Sequence, residues 1–375
     1  MDTMNKICDL LAATVCPNQE NAGENEYYMK MAGNWLLEAQ TVGLGIGYAH
    51  SYSLFSGWKQ PYPETTGYII PTMIQLGSYL NDERYITSAL QAGEWLLKIQ
   101  KADGSFIDLR GQKQIFDTGQ ILEGLIGLFK KTENSEYLVA ARKSGDFLIK
   151  NQDTDGKWTK FAYHGIPHTY YSRVAANLLK LHEITGESAY KRAAEKQLRW
   201  TIAQQKDNGY FNYMSFLTAQ LPYLHTIIYV LEGLLEANTF LHNEDILSCL
   251  KKTVDVLVAI NKNRDDILFA QYDSNWTYLK KEKCMTGLAQ WARLLLHLYI
   301  LMKEEDYFIQ ARKTILFVKS KQVQSGTKNI KGAVPGSIPI WGSYFRFSFN
   351  NWTVKFYIDA LLLLAQVEKQ HSREE

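Results

Sequence analysis

The strongest constraint on the fold is a short signal that recurs along the chain just before apolar, helix-periodic runs. A threonine marks each of its six copies, which lie 51 to 67 residues apart: Thr66, Thr118, Thr169, Thr226, Thr286 and Thr353. Between these runs lie helices with a bulky residue near the middle, such as GNWLLEAQ, GEWLLKIQ and GDFLIKNQ. Two helix types therefore alternate along the sequence, and a repeat of this length is a structural unit.

The two helix types differ in how much of their surface is apolar. The runs marked by the threonines are apolar around most of their circumference, which predicts burial on several sides. The alternating helices carry Lys, Arg and Glu on one face, as in EYLVAARKSGDFLIK. This pattern predicts an all-α protein, an (α/α)6 toroid with inner and outer rings of six helices, formed by residues 1–375 as a single domain. An open helical solenoid is the alternative.

The starts of the inner helices are the places where function is expected. In a toroid the inner helices run parallel, so their N-termini gather at one end. Each threonine is predicted to be an N-cap whose hydroxyl accepts a free backbone N–H of the first turn. The preceding residue then points toward the centre of the rim, where the helix dipoles favour anionic groups. These residues are Thr65 (preceded by Glu64), Asp117, His168, His225, Met285 and Trp352.

Composition excludes some classes of function. The chain has 41 basic and 39 acidic residues, a balance that argues against a nucleic-acid-binding surface. It has no apolar run of about 18 residues, so no membrane span is expected. Residues 1–16 contain Asp2 and Asp9 and are interpreted as an amphipathic helix rather than a signal peptide, which favours a cytoplasmic location. The four cysteines form no CxxC pair, which favours reduced thiols.

Two carboxyl groups stand at neighbouring helix starts. Glu64 and Asp117 precede the first two apolar runs. Glycoside hydrolysis needs such a pair, with one carboxyl as acid and the other as base or nucleophile. The alternative is that both only stabilise helix N-termini. We treat both as candidate catalytic residues.

Two histidines open the next two inner helices. A helix N-terminus lowers the pKa of a histidine, so His168 and His225 are expected to be neutral bases. A pair of bases suits proton abstraction beside a carbonyl or carboxylate, which is epimerase or lyase chemistry. The alternative is hydrogen bonding to carbonyl groups of the rim. His164 and His168 are separated by Pro167, which does not suit a helical metal site, so neither a metal nor another cofactor is expected.

Arg173 lies one turn beyond His168 and is a candidate clamp for a substrate carboxylate. The alternative is a structural ion pair with Asp117 or Glu123. Tyr170 and Tyr171 are candidate sugar-binding residues on the same helix start.

Aromatic residues in three long loops are further candidates for sugar binding. Loops of this length are uncommon unless they are functional. Residues 49–64 contain Trp58 and Tyr62, and residues 271–283 contain Trp276. Residues 332–352 contain Trp341, Arg346 and Trp352. Packing beneath the loops is the alternative role for these rings.

Two sets of motifs resemble known families. The stretches GEWLLKIQKADGSF and GDFLIKNQDTDGKW resemble the repeats of terpenoid cyclase and prenyltransferase toroids, although the Asp-x-Asp-Asp acid segment of the cyclases is absent. The helix starts, among them YPETTGYIIP, FDTGQILEGL and LHTIIYVLEGLLE, resemble (α/α)6 carbohydrate-active proteins: unsaturated uronyl hydrolases, alginate and heparinoid lyases, and sugar 2-epimerases. Along its whole length the chain is also similar to an uncharacterised bacterial family found with polysaccharide-biosynthesis genes.

The resemblance implies a glycan or sugar as the partner. The sequence is interpreted as a carbohydrate-active enzyme, a glycoside hydrolase or polysaccharide lyase, with uronic acid as one candidate constituent of its substrate. A sugar epimerase with a histidine pair and a non-catalytic glycan- or peptide-binding toroid are the alternatives. The sugar, the linkage and the oligomeric state stay open at this stage.

Overall fold

The computed structural model describes residue 9, residues 25–262 and residues 267–374; the predicted N-terminal helix otherwise lies outside the described residues. The described part contains twelve α-helices. In chain order they are α1 (Asn25–Val42), α2 (Pro63–Leu80), α3 (Glu83–Ile99), α4 (Ile115–Thr132), α5 (Ser135–Lys150), α6 (Ser172–Thr185), α7 (Ser188–Ala203), α8 (Leu224–Leu241), α9 (Glu244–Lys262), α10 (Met285–Met302), α11 (Glu305–Lys319) and α12 (Asn351–Glu374).

The even-numbered helices form a closed inner ring. Each of them packs against the next along the chain, and α12 packs against α2 to complete the circle. Each odd-numbered helix after α1 packs on the outside of the inner helix that precedes it, and α1 packs against α12. The predicted (α/α)6 toroid is therefore confirmed, because an open solenoid would leave α2 and α12 apart.

Side-chain amides tie the outer helices to one another. A glutamine at or just after the end of an outer helix donates from Nε2 to a backbone carbonyl of the next outer helix, as Gln152 does to Ala193 at 2.9 Å. Gln322, which follows α11, donates to Tyr28 of α1 at 3.1 Å and so closes the outer ring. Equivalent bonds are made by Gln40, Gln100 and Gln205.

The predicted threonine N-caps are wrong. Helices α2 and α4 begin three residues before their threonines, and their N-cap residues, Tyr62 and Gln114, make no side-chain capping bond. The threonine hydroxyls instead hold the preceding loops: Thr66 Oγ1 accepts from Tyr48 N at 3.0 Å, and Thr118 Oγ1 accepts from Phe106 N at 3.2 Å. These hydroxyls fix the loops against the inner ring rather than ending the helices.

Short strands hold the long loops together above the helix starts. Strands β1 (Ser51–Ser53), β2 (Gly57–Trp58) and β5 (Ser348–Asn350) form an antiparallel sheet in the order β2-β1-β5. Strand β3 (Lys283–Cys284) pairs with β4 (Ser337–Ile338). The sheet joins the loop before α2 to the loop before α12, which lie far apart in the sequence.

In the residues that the structure describes, no helix has the length and apolar character needed to cross a lipid bilayer.

Glycine allows α2 and α4 to approach closely, and this gives a stability prediction. A Cβ atom at Gly124 would lie 2.3 Å from the carbonyl oxygen of Gly67, whereas a Cβ at Gly127 would lie 3.6 Å from Pro71. We expect Gly124→Ala to lower the free energy of unfolding by about 1–3 kcal/mol through overpacking. Its matched control, Gly127→Ala, should raise that energy by up to about 1 kcal/mol. Urea unfolding of both variants measures the contrast, and equal effects would contradict the close contact.

Candidate active site

A cavity of about 400 Å³ opens at the end of the toroid where the inner helices begin. Residues from the starts of α2, α8 and α12 line it, among them Glu64, His225 and Trp352. Residues near the other ends of α2 and α12, Ser78 and Gln366, line a second cavity of about 650 Å³. The inner helices therefore run in the same direction, and their N-termini surround one mouth as expected from the sequence.

Glu64 and Asp117 both line this cavity, on the first turns of neighbouring helices α2 and α4. Asp117 is 6% exposed, and Tyr62 Oη donates a hydrogen bond of 2.8 Å to its Oδ2. Burial raises the pKa of Asp117 to about 7, against the opposing effect of the Tyr62 bond. Burial also raises the pKa of Glu64 well above its ordinary value, and the charge of Asp117 adds to the effect while Arg173 opposes it. The pair therefore retains a proton near neutral pH.

The raised pKa of Asp117 makes stability depend on pH. The folded protein keeps this proton up to about pH 7, whereas the unfolded chain releases it near the ordinary value of 3.8. Between these values the folded state binds more protons, so the free energy of unfolding falls as pH rises. Asparagine does not titrate. We therefore expect the free energy of unfolding of Asp117→Asn to rise relative to that of wild type by on the order of 1 kcal/mol per pH unit between pH 4 and pH 7. Urea unfolding across this range measures the difference, and a pH-independent difference would contradict the assignment.

Two histidines line the cavity, and one of them was not predicted. His225 is 4% exposed, and its Nδ1 lies 2.7 Å from Gln290 Oε1. Burial lowers its pKa to about 3, although the Gln290 bond opposes this shift. His50 lies edge-on to Trp352, with ring centroids 4.7 Å apart, and burial lowers its pKa to about 4. Both imidazoles are therefore neutral at pH 7.

His168 does not reach the cavity, which corrects its predicted pairing with His225. The side chain is fully buried, its Nε2 lies 3.1 Å from the carbonyl oxygen of Tyr163, and its ring stacks on Tyr170 at 4.4 Å. A turn of 3-10 helix at Thr169–Tyr171 precedes α6, and His168 lies just before this turn. The corresponding residues Asp117 and His225 instead lie in the first turns of α4 and α8. The structure therefore shows the alternative role of His168, hydrogen bonding to a backbone carbonyl group.

Arg173 lies beneath the cavity and forms ion pairs there. Its guanidinium donates to Gln120 Oε1 at 2.9 Å, Glu232 Oε2 at 3.0 Å and Glu123 Oε2 at 3.3 Å, and it is 3% exposed. Tyr229 covers it, with the guanidinium 4.8 Å from the ring centre. The geometry matches the structural ion pair with Glu123 rather than a carboxylate clamp.

Three of the predicted sugar-binding aromatics line the cavity: Tyr62, Tyr170 and Trp352. Tyr171 instead lies in the core, where its Oη accepts from the backbone N–H of Tyr163 at 3.0 Å. The indole of Trp352 donates to Tyr344 Oη at 2.8 Å, so it is held in the wall.

The other predicted loop residues lie away from the cavity. The indole of Trp58 donates to Asn329 Oδ1 at 3.0 Å, and that of Trp276 donates to the carbonyl oxygen of Asn208 at 2.9 Å, so both are packed beneath loops. Trp341 is 55% exposed on the surface, and Arg346 is also exposed. Neither belongs to the cavity lining.

Sequence reasoning missed several lining residues. Phe116 and Tyr68 lie within one turn of the predicted acids, so helical spacing alone could have identified them. His50, Phe216 and Tyr223 come from loops, and no periodic signal marks their contribution.

Among the described residues, neither a metal-ligand cluster nor a reactive thiol accompanies the carboxyl pair. In the part of the chain that the structure describes, no group of three or more His, Cys, Asp or Glu side chains has the arrangement of a metal site. Cys284, at the start of α10, is fully buried, and burial raises the pKa of its thiol to about 12.

Comparisons with known proteins agree on the fold. Residues 59–233 match the family model of the squalene-hopene cyclase C-terminal domain. No curated protein matches the sequence.

Solved structures that resemble the chain are (α/α)6 proteins. An unsaturated glucuronyl hydrolase specific for heparin is 13% identical, with a TM-score of 0.73, and the match covers 92% of this chain and 98% of that one. A cellobiose 2-epimerase from Bacillus thermoamylovorans is 12% identical, with a TM-score of 0.69 and coverage of 87% and 95%. An α-amylase from Clostridium perfringens is 11% identical, with a TM-score of 0.65 and coverage of 92% and 99%. The predicted resemblance to six-hairpin toroids is thereby confirmed at the level of the fold.

Proposed function

We propose that this protein hydrolyses a glycosidic bond in the cavity at the starts of the inner helices. The observation that carries the proposal is the pair Glu64 and Asp117, two carboxyl groups with raised pKa values on the wall of one cavity. Perturbed carboxyl pairs in a cleft are typical of functional sites, and glycoside hydrolysis requires an acid and a second carboxylate.

The environments of the two carboxyl groups favour different roles. Glu64 has no hydrogen bond to the described residues and is therefore free to donate its proton to the oxygen of the leaving sugar. The O–H of Tyr62 stabilises Asp117 as a carboxylate. Asp117 then accepts a proton from water as the water oxygen bonds to the anomeric carbon and the glycosidic C–O bond breaks. The reaction consumes one water and restores both side chains after proton exchange with solvent.

The aromatic wall suits the faces of sugar rings. Tyr68, Phe116, Tyr170, Tyr229 and Trp352 contribute to it, and such rings combine apolar contact with polar edges. A cavity of about 400 Å³ accommodates a ligand of small-molecule size.

The charge of the lining favours an uncharged sugar within the cavity. The described lining contains no Lys or Arg, its two histidines are neutral, and its carboxyl pair would repel another carboxylate. Outside the lining, the guanidinium of Arg110 lies 5.1 Å from the ring centre of Tyr163, which does line the cavity. A uronate in the glycan would therefore bind best at the rim beside Arg110, although it would share this guanidinium with Asp108, which lies 2.8 Å from it.

The solved structures that share the fold support a carbohydrate substrate. They include hydrolases of glucuronyl and amylase types. The 2-epimerase among them, together with the two neutral histidines in the cavity, favours epimerisation of a sugar as the second candidate. In that reaction His225 and His50 would remove and return a proton at the carbon beside the carbonyl.

Isotope incorporation distinguishes these reactions. We would incubate the protein with neutral and uronate-containing oligosaccharides in water enriched in ¹⁸O. Hydrolysis predicts a new reducing end that carries ¹⁸O. Epimerisation predicts no cleavage, but deuterium at the carbon beside the carbonyl when the solvent is D₂O. An unsaturated product without ¹⁸O would identify a lyase, and binding without any turnover would favour the glycan-binding alternative.

A further inference from the structure

Gln290 joins His225 to a buried charged group below the cavity. Gln290 lies on α10 and is fully buried, with its Oε1 2.7 Å from His225 Nδ1. Its Nε2 donates to Glu232 Oε2 at 2.9 Å. Glu232 in turn accepts from two guanidinium groups, those of Arg293 at 2.7 Å and Arg173 at 3.0 Å. Glu232 is therefore a hydrogen-bond acceptor on the side that faces Gln290.

These hydrogen bonds permit only one orientation of the side-chain amide of Gln290. If the amide were reversed, its oxygen would face a carboxylate oxygen of Glu232, and neither of these two acceptors could donate a proton to the other. With Nε2 toward Glu232, the amide oxygen must accept from His225, so the proton of the neutral imidazole is on Nδ1. The second nitrogen, Nε2, then carries a lone pair.

We propose that Gln290 is a positioning residue that fixes this tautomer, so that His225 presents Nε2 to the cavity as an acceptor for a sugar hydroxyl. His225 lines the cavity, and its Nε2 has no hydrogen bond to the described residues. Tyr229 packs beside the ring at 4.2 Å between centroids and restricts its rotation. The ligand group selected here is a hydrogen-bond donor, because a carbonyl or ether oxygen would face the lone pair unfavourably.

The inference rests on the proposed function for its ligand, although the tautomer can be measured without any substrate. We would record ¹⁵N NMR spectra of histidine-labelled wild-type protein and assign His225 by the resonances lost in His225→Gln. The expected result is a protonated Nδ1 and an unprotonated Nε2. A proton on Nε2 would overturn the inference, whatever the enzyme assays show.

Kinetics then test the positioning role. Gln290→Met keeps the size of the side chain and removes the acceptor, so we expect KM for the cleaved glycan to rise about 10-fold or more while kcat changes less. In Gln290→Glu, a protonated carboxyl can accept from His225 and donate to Glu232, so the wild-type tautomer and KM should be largely restored. Equal losses of kcat in both variants, with an unchanged tautomer, would indicate a purely structural role. If Gln290→Met does not fold, the wild-type spectrum decides the question.

Discussion

Asp117→Asn and Glu64→Gln are each expected to lower kcat by about 10²- to 10⁴-fold, the usual contribution of a positioned acid or base. Both changes keep the shape of the side chain and remove its titration. Asp117 would no longer take a proton from water, and residue 64 would no longer give one to the leaving oxygen. Initial rates on the glycan that wild-type protein cleaves measure the loss.

A neighbouring carboxyl group provides the control for these variants. Asp108 is 8% exposed and binds Arg110, and it does not line the cavity. On a neutral glycan, which does not involve Arg110, we expect Asp108→Asn to keep kcat within about tenfold of wild type, since its charge acts on Asp117 from outside the lining. If Asp117→Asn and Asp108→Asn lost activity equally, the carboxyl pair would not be the catalytic centre.

Arg173→Met is expected to lower the free energy of unfolding by about 3–5 kcal/mol, the cost of removing one partner of a buried ion pair. Arg173 pairs with Glu123 and Glu232 inside the inner ring. Lys180 lies 3.1 Å from the carboxylate of Glu123, and Arg293 lies 2.7 Å from that of Glu232. These two cations therefore offset part of the loss. Urea unfolding at pH 7 measures the change.

An exposed ion pair between the same helices provides the matched comparison. Lys130 of α4 and Glu183 of α6 are 3.2 Å apart, with side chains 54% and 53% exposed. Lys130→Met should therefore change the unfolding energy by less than about 1 kcal/mol. The free energy of unfolding of Arg173→Lys should lie between those of wild type and Arg173→Met, because lysine keeps the charge but not the forked geometry of the guanidinium. Equal effects of Arg173→Met and Lys130→Met would show that the buried network adds no more than a surface pair.

The toroid could be predicted from the sequence because its repeat is periodic. Apolar periodicity and the recurrent threonines define the inner helices, and the glutamines near Trp35 and Trp95 mark the outer ones. Closure of the ring is shown by the contact between α12 and α2, because an open solenoid has the same repeat. The neighbouring positions of Glu64 and Asp117 follow from the same geometry.

The rest of the site depends on contacts that no local pattern encodes. The 3-10 turn before α6 removes His168 from the cavity, although its sequence context resembles that of His225. Trp58 and Trp276 find carbonyl and amide partners under loops, so their rings pack rather than face a ligand. His50 reaches the cavity from the loop position just before strand β1, and β1 pairs with β5 near the other end of the chain.

A crystal structure of Asp117→Asn with the intact oligosaccharide that the wild-type protein cleaves would show where the scissile bond binds. We expect that bond to lie between the side chains of residues 64 and 117, with a hydroxyl of the sugar donating to His225 Nε2. Density for the sugar only on the outer surface, for example over Trp341, with the carboxyl pair out of reach of any glycosidic oxygen, would contradict hydrolysis at the starts of the inner helices.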